Sequence, residues 1–85
     1  MIWQAVVNTN GTTQLAHAGM TFVRNAPGQY TLNWSGFSGI ALPYVQGVGA
    51  NGTMLGFNSR GDGTGWMTVQ FPDDALFMVA LIQNQ

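Results

Sequence analysis

Acid–base chemistry in this chain has few residues to draw on: one histidine, His17, and three aspartates, Asp62, Asp73 and Asp74, with no Glu, Lys or Cys. General acid–base and nucleophilic catalysis need a titratable pair or an activated nucleophile held close together. The inventory nearly excludes both, so no catalytic residue is assigned and the chain is not expected to be an enzyme. A metal centre fares no better. His17 would need carboxylate partners and is read as a strand histidine, exposed or hydrogen-bonded. Asp73-Asp74 could ligate calcium with backbone carbonyls. As neighbours following Pro72 they are read instead as turn residues that accept local N–H groups. No metal or cofactor is expected.

Two other features carry recognition chemistry. Arg60-Gly61-Asp62 spells the integrin-recognition tripeptide in a glycine-rich turn, although Gly and Asp are ordinary turn residues. Trp3, Trp34, Tyr44 and Trp66 lie in a chain rich in Asn and Gln. Rings that stack and amides that bond hydroxyls are what a shallow sugar site uses, with no charge needed. The competing role for these rings is packing in a core or a subunit interface. Trp34, Tyr44, Trp66, Arg60 and Asp62 are the candidate ligand-binding residues. The run Gly47-Val48-Gly49-Ala50-Asn51-Gly52 has the glycines of a phosphate loop but no helix pattern after it and no Lys.

Charge is scarce throughout. Charged residues are 6% of 85 and the net charge is −1, where about a quarter is usual for soluble domains. With Arg24 and Arg60 as the only cations there is no basic patch for a phosphate backbone or an anionic membrane surface. Disorder is excluded, because its signature is low hydrophobicity with high charge. The longest apolar run, over 75–82, is far short of the roughly 20 residues that span a bilayer, so no membrane insertion is expected. The start, Met1-Ile2-Trp3-Gln4, lacks a basic region and a long apolar stretch, so no secretory signal is expected. The length suits one domain, 1–85, with one core.

Those residues must be positioned by strands. Gly is frequent and evenly spread, the helix formers Lys and Glu are absent, and hairpin punctuation recurs. Asn10-Gly11, Pro27-Gly28 and Asn51-Gly52 each read as a hairpin turn between flanking strands. Gly61-Asp62-Gly63 and Pro72-Asp73-Asp74 supply two more connections. Strands are expected over 2–8, 12–18, 21–25, 29–34, 42–48, 53–58, 66–71 and 76–83, giving a small antiparallel β-sandwich, jelly-roll-like, of seven to eight strands. Alternation places Tyr30, Leu32 and Trp34 on one face, and likewise Met67, Val69 and Phe71. Leu55 and Phe57 are expected to share an inward face. Arg24 is expected to bond backbone carbonyls or a carboxylate such as Asp74.

The closing strand breaks alternation. Phe77, Val79 and Leu81 point one way, and Leu76, Met78, Ala80 and Ile82 the other. A strand apolar on both faces needs cover on both, and one small sandwich covers only one. Sequence does not decide which set faces inward; Leu76, Met78, Ala80 and Ile82 are the set expected at an oligomer interface.

The segment Ala5-Val6-Val7-Asn8-Thr9-Asn10-Gly11-Thr12 resembles the opening V-N-x-D/N-G-T of short bacterial and phage β-domains. Thr21-Phe22-Val23-Arg24 with Pro27-Gly28-Gln29-Tyr30-Thr31-Leu32-Asn33-Trp34 and Phe37 is similar to their V-x-R-x-x-x-G-x-Y-x-V-x-F stretch. Met67-Thr68-Val69 and then Asp74-Ala75-Leu76-Phe77-Met78-Val79-Ala80 is similar to their closing V…D-x-x-F-x-x-A-V. Such domains are like the C1q and tumour-necrosis-factor heads, jelly-roll-like sandwiches that commonly form trimers at fibre tips. The resemblance implies a non-enzymatic fibre-head or receptor-binding module, on a virion or cell surface, whose first partner is itself. A trimer is favoured over a dimer, and a cell-surface glycan or protein is the implied receptor. The alternative reading is a lectin-like carbohydrate-binding module.

Overall fold

The computed structural model describes residues 2–84, which form eight strands and no helix. They are β1 (Ile2–Val7), β2 (Thr13–Ala16), β3 (Met20–Ala26), β4 (Gln29–Trp34), β5 (Ala41–Gly47), β6 (Thr53–Ser59), β7 (Gly65–Gln70) and β8 (Phe77–Gln83). Two four-stranded antiparallel sheets result, in the orders β2-β1-β8-β5 and β3-β4-β7-β6. They pack as the small β-sandwich that the turn spacing predicts.

Alternation selects what goes between the sheets. Trp3, Ala5 and Val7 of β1 and Phe77, Val79 and Leu81 of β8 meet Tyr30, Leu32 and Trp34 of β4 and Met67 and Val69 of β7. All are buried. Tyr30, Phe71 and Phe77 form an aromatic knot with ring centroids 4.8–6.1 Å apart, a spacing at which tilted rings attract. Trp34 is thus a core residue, 3% exposed. Its expected ligand role is corrected, because an indole closed between two sheets offers no face to a ligand.

Three consecutive pairs, β1–β2, β3–β4 and β6–β7, are hairpins within a sheet. At Pro27-Gly28 the glycine takes φ +75°, near the +80° of the third residue of a type II turn, which favours glycine. The hairpin expected around Asn51-Gly52 does not form. β5 pairs with β8 and β6 with β7, in opposite sheets, so 48–52 crosses from one sheet to the other. The glycines here serve close approach. A Cβ on Gly52 would stand 2.7 Å from the Phe71 ring and 2.9 Å from Val69.

A second departure lies in β6. Its register shifts between Met54 and Gly56, and a bulge places an extra residue, Leu55, that interrupts the alternation. Leu55 and Phe57 do not share a buried face. Met54 and Phe57 stand in register with buried Val69 and Met67. Because β6 ends its sheet, Met54 and Phe57 remain 36% and 48% exposed.

One end of the sandwich is tied by polar groups. Asp74 Oδ1 accepts from Arg24 Nε at 2.9 Å and from Gly28 N–H at 2.8 Å, fulfilling the expectation for Arg24. The Tyr30 hydroxyl donates to Thr9 O at 2.6 Å and accepts from Ala75 N–H at 3.1 Å. Three separate loops converge on these two side chains. The Arg24 hydrogen bond, followed by the Gly28 N–H, holds the Asp74 carboxyl below the usual carboxylate range.

Candidate interaction surfaces

The titratable residues do not assemble. His17 lies flat on Trp3, with centroids 3.8 Å apart and planes 10° from parallel, and its Nδ1 accepts the Gly19 N–H at 3.3 Å. Asp73 accepts the Asp74 N–H at 2.8 Å. Among the described residues, no three His, Cys, Asp or Glu side chains lie close enough to hold a metal ion.

Arg60 and Asp62 are bound into their own loop. Arg60 Nε donates to Thr64 Oγ1 at 2.8 Å. Asp62 Oδ1 accepts from the Thr64 hydroxyl at 2.6 Å and from the Thr64 N–H at 3.0 Å. These bonds, the hydroxyl first, lower the Asp62 pKa from its ordinary value. The loop 8–12 is built the same way. Asn8 Nδ2 donates to Thr12 Oγ1, and Asn10 Oδ1 accepts from the Thr12 hydroxyl at 2.6 Å and the Thr12 N–H at 3.0 Å. Gly11 and Gly63 occupy equivalent positions at φ +90° and +88°. One five-residue device closes two hairpins, and Asn10-Gly11-Thr12 beside Asp62-Gly63-Thr64 is its sequence signal. The Arg-Gly-Asp side chains do here what an Asn pair does in loop 8–12.

The outer face of β2-β1-β8-β5 is different in kind. Pairing aligns Ile2, Ile82 and Leu42 in one row, Gln4, Ala80 and Tyr44 in the next, and Leu15, Val6, Met78 and Gln46 in a third. No residue in these rows is charged. Met78, Ala80 and Ile82 lie on this face. Leu76 precedes β8 and is partly buried, its carbonyl accepting the Val48 N–H at 2.9 Å. Tyr44 also belongs to this face. Ile2, Val6 and Leu15 were not among the residues singled out by sequence, although strict alternation in β1 marks two of them. Small Ala80 leaves an open depression of about 440 Å³, walled by Gln4, Val6, Leu15, Tyr44 and Met78.

The outer face of β3-β4-β7-β6 is polar and also uncharged. Trp66 stands on it, in register with Asn33 of β4 on one side and Asn58 of β6 on the other. The expected ligand-binding residues therefore do not form one site. Trp66 is on one sheet, Tyr44 on the other, Arg60 and Asp62 in a loop, and Trp34 in the core. The chain matches no protein-family model, no curated protein and no solved structure.

Proposed function

We infer that this domain is a non-enzymatic structural and binding module that works as a closed symmetric oligomer, assembled through the outer face of β2-β1-β8-β5. The observation that carries this reading is a four-stranded sheet face, three rows deep, on which Ile2, Leu15, Tyr44 and Met78 are exposed and no charge is present. Contiguous apolar surface of this kind marks a protein–protein interface. Burying the exposed half of each Leu, Ile or Met stabilises association by on the order of 1 kcal/mol.

A second apolar strip, Met54, Leu55 and Phe57, lies along β6 at the edge of the opposite sheet. Two like faces packed together would cover the first surface and leave the second in water. Packing the edge of one protomer on the face of the next covers both. Such a contact is heterologous and must close into a ring to avoid open fibres. This favours a trimer over a dimer, in keeping with the resemblance to C1q-like fibre heads.

Sedimentation velocity at low micromolar concentration tests the reading. A stable assembly larger than a dimer is expected for the wild type. Met78→Asp, which sets an unpaired charge in an apolar contact, is expected to give a folded monomer or an unfolded chain. A wild-type monomer at that concentration would overturn the assembly.

A further inference from the structure

The outer face of the second sheet carries a feature apart from the β6 strip assigned to self-association. The indole of Trp66 leans across β6, and its far edge lies 3.5 Å from the point where a Gly56 side chain would begin. A side chain there would make only ordinary van der Waals contact with the ring, and Trp66 is 36% exposed. Trp3 and Trp34 are buried, so Trp66 is the indole open to solvent.

Its flanks are two amides. Asn33 and Asn58 are each the direct cross-strand neighbour of Trp66, two strand spacings or about 10 Å apart. Half of the amides of this chain are occupied. Asn8 and Asn10 close a loop, Asn25 accepts from Thr31, and Gln14, Gln46, Gln70 and Gln83 donate within the protein. The side-chain amides of Asn33 and Asn58 make no hydrogen bond to any described residue. The neighbouring hydroxyls are not available in the same way, since Thr31 and Thr68 bond each other at 3.0 Å. The outward residues of this sheet carry no Lys, Arg, Asp or Glu, so nothing attracts an ion.

We propose that Trp66, Asn33 and Asn58 form a binding site for a neutral pyranose sugar of glucose configuration, β-linked in a chain. An all-equatorial pyranose offers a flat C–H face for the indole and directs its hydroxyls sideways, towards amides on both flanks. Each amide supplies donors and an acceptor to such hydroxyls. A single ring stacked on an open sheet gives a weak site, with Kd on the order of 1 mM, and multiple copies in an oligomer would raise the avidity.

The test is a titration of the full-length ¹⁵N-labelled protein with cellotriose, followed by NMR. The Trp66 indole N–H and the Asn33 and Asn58 side-chain amides are expected to move by about 10 mM sugar, while the Trp3 and Trp34 indoles stay in place. Trp66→Ala is expected to abolish the shifts. Asn33→Ala and Asn58→Ala should each weaken binding by roughly 3- to 10-fold, with unchanged thermal unfolding showing that the fold is kept. No movement of these groups at 50 mM cellotriose would overturn the proposal. So would shifts that persist in Trp66→Ala, or shifts confined to the Tyr44 face. The oligomer is tested separately, by sedimentation, although β6 supplies both Asn58 and the apolar strip Met54, Leu55 and Phe57.

Discussion

Removing one oxygen from Tyr30 tests whether the loops are held by that hydroxyl. Tyr30→Phe keeps the ring in the Phe71–Phe77 knot, so no cavity opens. Three contacts go: the 2.6 Å bond to Thr9 O, a longer one to Asp74 Oδ1 at 3.4 Å, and the 3.1 Å bond from Ala75 N–H. Ala75 is buried, so its N–H loses its partner out of reach of water, which costs about 1–3 kcal/mol. Taking about 2 kcal/mol for a domain of this size, the melting temperature should fall by roughly 8–16 °C. Urea denaturation followed by circular dichroism measures it. A loss below about 0.5 kcal/mol would refute the role given to the hydroxyl. A second arm uses pH. Burial raises the Tyr30 pKa above its ordinary 10.0. A group raised on folding contributes stability that is present below its unfolded pKa and is lost as pH rises through the folded value. Wild-type stability should therefore decline above pH 10, and Tyr30→Phe should flatten that decline.

Other consequences follow from the same contacts. The Asp74 pKa is lowered from 3.8, so its contribution is present above that pH and lost as pH falls below it; Asp74→Asn should be less stable at neutral pH and less sensitive to acid, as read from melting curves at pH 2–7. Arg24→Leu should also lower the melting temperature, since it removes the 2.9 Å ion pair. Gly52→Ala forces a methyl against Phe71 and Val69 and should cost about 1–3 kcal/mol. Gly49→Ala meets no atom within 4 Å but keeps φ +75°, so calorimetry should show only about 1 kcal/mol of backbone strain. Phe77→Asp should abolish the fold at any protein concentration, while the unfolding temperature of the wild type should rise with concentration.

Hairpins were the most legible part of the sequence, because a turn needs only its own residues. Pro27-Gly28 and Asn10-Gly11 state their backbone conformation locally. The link at 48–52 was not legible, because glycine marks a turn and a close approach with the same letter, and only the Phe71 ring distinguishes them. Which sheet a strand joins is likewise a long-range fact. Thus the two apolar faces of β8 were readable from its alternation, whereas which of them points outward, and its neighbours on β1, β2 and β5, were not. Trp34 and Trp66 are alike in composition and differ only in parity. The alternation of Tyr30, Leu32 and Trp34 already assigns Trp34 inward, and that of Met67, Val69 and Phe71 leaves Trp66 outward. The bulge at Leu55 has no such signal, and it alone reverses the expectation for β6.

The scarcity of charge acquires a physical reason once the two outer faces are compared. A small domain ordinarily stays in solution through interspersed charges on its surface. Charges on the β2-β1-β8-β5 face would place unpaired ions in the proposed contact between copies. The β3-β4-β7-β6 face is instead wetted by Thr, Asn and Gln, which hydrate well and repel neither one another nor a neutral ligand. Four of the five charges tie down connections: Arg24 with Asp74, and Arg60 and Asp62 on Thr64. Both pairs fasten a connection rather than decorate a sheet. An added charge should therefore be tolerated very differently by position. On the apolar face it should oppose the proposed assembly, beside Trp66 it should alter the proposed sugar binding, and in an exposed turn such as Asn51 it should change little beyond solubility.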